Sequence, residues 1–431
     1  MAKHLTLQNG VRVCFVPFAG TKAVTVLVFC KVGSRYEPVS LQGASHFIEH
    51  LMFKGTKRRP STLAISRTLD SVGAQFNAFT GKDATGYYVK ADHEHTHLAI
   101  DLLHDMLFHS TYDPKELNRE RGVIIEEINM YEDNPMAYVE NLLEQGLFKG
   151  NTLALDIAGT HTSMKAMKRS HILAYRDLYY QPSQLVICLS GHIDAHALDW
   201  LSETFGRVKA TEKIPEGFLP FAGWKDQQEP RIIVKEKETE QVQLALGFPA
   251  YSLHDKKLRA AKLLAIIAGG TMSSRLFIAV RERRGLAYFV RSWLESYEDT
   301  GYLTIRAGLD KSRLPLALKT IFDECRAMKR KGNIRTSELK DAKEYVRGKM
   351  RLAMEDSFAR AEWYGQSLLY REQTKTVEEY LKEIMNVRMK DVEQVAQEMF
   401  QIHHMTVAAI GPFVNQEAFM KAADFSARIK F

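Results

Sequence analysis

The chain has 431 residues, 45% apolar and 26% charged, proportions that exclude collagenous, mucin-like and disordered chains and describe a polypeptide that buries cores. A single core stops growing near roughly 250 to 300 residues, so the length calls for at least two domains. The net charge of +7 is interleaved, as in Lys235-Glu236-Lys237-Glu238, which describes a solvated surface and not a nucleic-acid stripe.

The chain opens with Leu5-Thr6-Leu7, an Asn9-Gly10 turn and Val11-Arg12-Val13, a predicted hairpin with no signal or transit segment ahead of it. No apolar run reaches the roughly 18 residues needed to cross a bilayer. Cys14, Cys30, Cys188 and Cys325 stand far apart without CxxC spacing, and three of them lie in apolar strand-like runs. Buried thiols in a reducing, cytoplasmic compartment are expected.

A faint internal repeat then organises the chain. A predicted strand at Val24–Phe29 leads into a helix around Ser45 to Phe53, and one at Val242–Gly247 leads into a helix around Lys257 to Ala268, an offset of 218. Helices beginning at Met167-Lys168 and Met389-Lys390 stand 222 apart, and the closing strands at Leu185 and Met405 stand 220 apart. Residues 209–230 carry Pro215, Gly217, Pro220, Gly223 and Pro230 without periodicity and read as a linker. The expected architecture is α+β: two homologous domains, 1–208 and 231–431, each a mainly antiparallel sheet faced by helices.

The sharpest motif is His46-Phe47-Ile48-Glu49-His50. Spacing of i, i+3 and i+4 puts His46, Glu49 and His50 on one helical face, where two imidazoles can chelate one zinc and the carboxylate can take a proton from water. The motif is insufficient alone in a chain with 15 His, and it needs a third ligand. Asp113-Pro114-Lys115-Glu116 reads as a helix start with Asp113 as N-cap and Glu116 closing a capping box. On that helix Glu120 and Glu127 lie two turns apart on one face, while Glu126 points about 100° away. A zinc-ligating carboxylate with a second acid behind it is one use of such a pair; an ordinary helix surface is the other.

His-x-x-Glu-His followed by Glu-Arg-x-Val-Ile-x-x-Glu resembles the signature of the inverted-zincin peptidases, the pitrilysin, insulin-degrading enzyme and mitochondrial processing peptidase group, in a short two-domain form of bacterial type. The resemblance covers essentially the whole chain. It implies one zinc per chain, with His46, His50 and Glu127 as ligands, Glu49 as general base and Glu120 as the acid behind the ligands. In similar proteins the strand matching Gly73 to Thr80 is an exposed edge to which the substrate adds itself, which points to Asn77, Ala78 and Phe79 as substrate-binding residues. The second half has no His-x-x-Glu-His. Its Arg281 and Tyr288, in an Arg-Glu-x-Arg-Gly-Leu-x-Tyr setting, resemble the family pair that holds the substrate carbonyl. Relatives often carry a His-Pro-Leu-Gly type segment where this chain has Gly150-Asn151-Thr152-Leu153-Ala154-Leu155.

The resemblance implies a zinc metalloendopeptidase acting on peptides or unfolded polypeptide, with two chains closing into a clamshell as a homodimer or as a heterodimer with a related subunit. No nucleic acid or membrane partner is expected. The alternative is a non-catalytic scaffold or partner subunit, although such chains typically lose the motif or the Arg/Tyr pair. A structural zinc protein is disfavoured, because structural sites normally use four protein ligands and three are visible.

Overall fold

Alternating apolar residues around Asn9-Gly10 fold as a hairpin. In the computed structural model β1 (Lys3–Thr6) and β2 (Arg12–Pro17) pair antiparallel across a turn in which Gly10 has φ of +97°, a conformation that favours glycine. The structure describes residues 2–211 and 215–428; residue 1, residues 212–214 of the expected linker and residues 429–431 lie outside the described residues.

The chain continues through β3 (Ala23–Cys30), α1 (Ala44–Met52), α2 (Thr62–Asp70), β4 (Gln75–Thr80), β5 (Thr85–Asp92), α3 (Thr96–His109) and α4 (Pro114–Asp133). It then forms α5 (Pro135–Leu147), α6 (His161–Ala166), α7 (Arg169–Tyr179), β6 (Leu185–Gly191) and α8 (Ala197–Glu203). The second half runs β7 (Arg231–Glu236), β8 (Gln241–Ala250), α9 (Leu258–Ala265), β9 (Ala287–Ser296), β10 (Gly301–Asp310), α10 (Leu314–Lys329) and α11 (Thr336–Ala353). After these come α12 (Ser357–Arg371), α13 (Val377–Asn386), α14 (Met389–Met399) and β11 (Thr406–Gly411).

Two sheets form, in the orders β1-β2-β6-β3-β5-β4 and β7-β11-β8-β10-β9. Apart from β1 the orders are superimposable, strand for strand. In each, the last strand of the half runs parallel to the first long strand and antiparallel to the central one, and the remaining pairs are antiparallel. The α+β class and the duplication expected from the repeat are therefore present in the topology.

The compact units are not the contiguous stretches 1–208 and 231–431. The first takes residues up to Asn129, Leu155–Leu219 and Lys349–Glu379; the second takes Met130–Ala154, Pro220–Gly348 and the chain from Tyr380 onward. The exchanged segments carry α5 and α12. In the first unit Ala361, Tyr364, Leu368 and Leu369 of α12 pack on Cys14, Leu27, Phe29 and Val186 of the sheet. In the second, Val139, Leu142, Leu143 and Leu147 of α5 pack with Ala245, Ala408 and Ile410. Helical periodicity reveals that such a face is buried; it carries no information about which sheet buries it. The opposite face of the first sheet, with Val26, Val28, Tyr87 and Ile187, is covered by Phe47, Ile48 and Leu51 of α1 and by Ile100, Leu103 and Leu107 of α3.

Candidate metal centre

Helix α1 begins after Gly43, which has φ of +92° and no side chain to offer as a cap. The buried carboxylate of Glu37 takes that role, accepting from the backbone N–H of Gly43 at 2.6 Å and of Ser45 at 2.7 Å. Burial pushes the Glu37 carboxyl up to about 8, against the opposing pull of these donors and of the Lys82 charge. Phe47, Ile48, Leu51 and Met52 are buried, so the helix presents His46, Glu49 and His50 on its remaining face.

Helix α4 starts as expected at Asp113, whose Oδ1 accepts from the N–H of Lys115 at 2.8 Å and of Glu116 at 3.3 Å. The expected capping box does not close: the Glu116 carboxylate accepts from Arg119 at 2.7 Å, because a guanidinium one turn along offers it a charged partner. Arg121 ties α4 to the C-terminal end of α6, donating to the carbonyls of Met164 and, at 2.8 Å, of Met167. Glu126 is exposed, as its position on the helix requires.

These two helices bring His46, His50 and Glu127 together. Glu127 Oε2 lies 3.7 Å from His46 Nε2 and 3.6 Å from His50 Nε2, and the three candidate donor atoms all fall within 4.8 Å of one another. Ligand atoms on a tetrahedral zinc with bonds of roughly 2.1 Å stand about 3.4 Å apart, so this donor set fits the ion with little movement. Among the described residues it is the one group of three or more such side chains able to hold a metal. Burial and, secondarily, the nearby His50 hold His46 down at about 4, which leaves its imidazole neutral and able to donate a lone pair at pH 7.

Glu49 stands on the same face. Its carboxyl is raised above the ordinary range chiefly by burial, while a hydrogen bond from Thr80 opposes the rise. That bond runs from Thr80 Oγ1 to Glu49 Oε2 at 2.5 Å and ties the base candidate to the end of β4. Glu120 is buried and engaged at both oxygens: His50 Nδ1 donates to Oε2 at 3.1 Å, and Lys54 Nζ donates to Oε1 at 2.7 Å. Sequence reasoning missed Lys54, Thr80 and Glu37. Lys54 follows His50 by four residues and Thr80 ends the β4 alternation, both usable signals; Glu37 lies in irregular chain, where spacing carries none.

Strand β4 is the outer strand of its sheet. The Ala78 N–H is engaged by its neighbour's side chain, Asn77 Oδ1 at 2.9 Å. Phe79 turns its ring edge-on to Phe29, at 5.9 Å between centroids, and so lies partly packed. Arg281 and Tyr288 belong to the second unit, Arg281 in a widened helical turn at Phe277–Glu282 and Tyr288 on β9. There the guanidinium stands 5.8 Å from the tyrosine ring centroid, and Tyr288 is 75% exposed.

Residues 13–161 match the family described as Insulinase (Peptidase family M16), and residues 166–346 match the Peptidase M16 inactive domain. A Bacillus subtilis protein described as "Uncharacterized zinc protease YmxG" is 35% identical over 96% of this chain and 99% of its own. The chain belongs to the M16 peptidase family. A second relative, an "Uncharacterized zinc protease" of Rickettsia bellii, is 31% identical over 94% of this chain and 96% of its own. The M16 fold recurs in the crystal structure of a protease from Helicobacter pylori, with a TM-score of 0.89, 23% identity and coverage of 96% of this chain and 100% of that one. No helix among the described residues is long and apolar enough to cross a membrane.

Proposed function

We propose that this M16 chain is a zinc metalloendopeptidase that hydrolyses peptides or unfolded segments, with Glu49 as general base and one zinc per chain. The observation that carries the reading is the convergence of His46, His50 and Glu127 with the Glu49 carboxylate on the same helical face. Three protein ligands leave a position open, and zinc held there would acidify water and polarise a peptide carbonyl. Glu49, kept basic by burial and oriented by Thr80, takes the proton of the attacking water and returns it to the leaving amine. The substrate lies along β4 as an added strand, its backbone competing with Asn77 Oδ1 for the Ala78 N–H. Main-chain pairing of this kind tolerates diverse sequences.

Arg281 and Tyr288 supply donors to the developing oxyanion, and in a two-fold dimer each chain's pair serves the other chain's site. A homodimer is the simplest form of this; a related subunit fits the same argument. The four buried free cysteines suit a reducing, cytoplasmic setting. The second reading, a non-catalytic partner subunit, draws on the match of the second half to a domain described as inactive. The metal-ligand cluster and its base candidate lie in the first unit, which favours the peptidase.

The test is cleavage of an unbiased peptide library by zinc-loaded protein and its Glu49→Gln variant. Turnover should fall by about 10²–10⁴-fold in the variant while zinc and peptide are retained; cleavage by the variant at near the wild-type rate would overturn the mechanism.

A further inference from the structure

Behind His50 the chain of polar contacts does not end at Glu120. Lys54 Nζ stands 2.7 Å from Glu120 Oε1, and His50 Nδ1 stands 3.1 Å from Glu120 Oε2. The Glu120 side chain is only 4% exposed, whereas those of Lys54 and His50 are 22% and 21% exposed. A carboxylate so deeply buried loses most of its hydration, and an opposite charge in contact is what makes its position tenable. Lys54 is that charge. Its backbone N–H bonds to the Leu51 carbonyl in the turn that ends α1, so the ammonium is delivered from the same helix that carries His50.

We propose that Lys54 is a positioning residue for the metal centre. The lysine holds one oxygen of Glu120, which leaves the other oxygen directed at His50 Nδ1. An imidazole that donates from Nδ1 carries its lone pair on Nε2, the atom that faces Glu127. Ring orientation and tautomer of His50 are thereby set from the outside by a residue that touches no ligand atom. His46 has no such support, since its Nδ1 is buried without a hydrogen-bond partner. The burden of preorienting the two imidazoles falls on the His50 side, and Lys54 is the outermost member of that support.

This inference rests on the metal reading given above, and its test measures zinc itself, without peptide hydrolysis. Zinc affinity of the whole chain is determined by competition with a chromogenic chelator for wild type, Lys54→Met, Lys54→Arg, Glu120→Gln and the Lys54→Met, Glu120→Gln double variant. Loss of an outer partner of a ligating histidine typically weakens metal binding about 10- to 100-fold, so Lys54→Met should weaken zinc at least about tenfold. Lys54→Arg should recover most of the affinity. The double variant should be no weaker than Glu120→Gln alone, because Lys54 acts only through that acid.

A merely structural lysine would lower thermal stability and leave zinc affinity in the folded protein unchanged, and that result overturns the proposal. So does an additive double variant. Absence of zinc binding in the wild type would overturn the metal reading and this inference together, whereas tight wild-type binding with an unaltered Lys54→Met variant would overturn only this one.

Discussion

The two units share a strand order and differ in the helix that follows the central long strand. In the first, α1 reads Ala-Ser-His-Phe-Ile-Glu-His-Leu-Met and keeps three ionisable residues on one face. In the second, residues 258–270 contain no His, Asp, Glu or Cys, and Leu258, Ala260, Ala261, Leu263, Leu264, Ile267, Ala268 and Gly269 are buried. Small residues let that helix close on its sheet: a side chain at Gly269 would stand 2.7 Å from the Ser292 backbone nitrogen. Strand hydroxyls follow the same division. Thr80 donates to Glu49, while Ser292 on β9 donates to the Ala265 carbonyl at 2.7 Å and so serves only the helix backbone. One scaffold therefore supports both a polar, chemically equipped face and a dry one, and few side chains decide which.

The comparison is broken most directly by metal content. A His46→Ala, His50→Ala variant should retain no zinc, and Glu127→Gln should bind it more weakly. Leu264→Ala should keep about one zinc per chain although it hollows the second core at a cost of about 2–5 kcal/mol. Metal analysis of the purified variants checks this, and full occupancy in the double histidine variant would sink the ligand assignment. Next in size is Glu49→Gln, expected to lower kcat by about 10²–10⁴-fold at unchanged zinc content, the usual range for a positioned base.

The duplication was legible because closing strands at Leu185 and Met405, and the strand-to-helix passages before them, repeat at nearly constant spacing, whereas the strand order was not. Helical spacing gathers His46, Glu49 and His50 on one face and Glu120 and Glu127 on another, but it was the resemblance of the combined motif to the inverted-zincin signature that singled these five out. That Glu120 meets His50 and Glu127 meets both histidines needed the packing of α4 against α1, which spacing does not contain. The exchange of α5 and α12 was invisible for a related reason, since amphipathicity names no partner. Glu37 illustrates the limit most clearly: it stands outside any regular element, yet it caps the helix that carries His46, Glu49 and His50.

Whether the second unit contributes to catalysis is decided by mixing. Glu49→Gln protein and a Tyr288→Phe, Arg281→Ala variant should each be inactive alone. With random exchange half the dimers are mixed, and each mixed dimer has one site with both intact halves, so about a quarter of wild-type activity should return. No recovery, with mixed dimers verified by mass spectrometry, would assign completion of the site to a single chain or to another subunit.

Glu37 sharpens the comparison through pH. Its folded-state carboxyl is raised from 4.5 to about 8, so between these values the folded chain holds a proton that the unfolded chain has released. Stability contributed by this group is complete below about pH 4.5 and is lost as pH rises towards 8, with a slope of at most about 1.4 kcal/mol per pH unit. Denaturant unfolding of metal-free protein should show this decline in wild type and not in Glu37→Gln. Parallel pH profiles for the two proteins would refute the burial argument.

The smallest effect concerns the exchanged helices, each of which places a glycine against its sheet. A Cβ at Gly365 on α12 would stand 2.6 Å from the Phe29 ring, and Phe29 is itself buried and held edge-on by Phe79. A Cβ at Gly146 on α5 would meet the terminal methyl of Ile233 and, at 2.7 Å, a methyl of Thr406. The isoleucine end can rotate away and leaves only the Thr406 methyl to give, whereas the buried Phe29 ring, edge-on to Phe79, must push its neighbours. Overpacking of the second kind costs about 1–3 kcal/mol, and alanine in a helix returns about 1 kcal/mol over glycine. Gly365→Ala should therefore be destabilised by up to about 2 kcal/mol, and Gly146→Ala by less. Thermal unfolding of the two variants checks the order, and a Gly146→Ala that melts below Gly365→Ala would show that the second sheet, not the first, grips its borrowed helix more tightly.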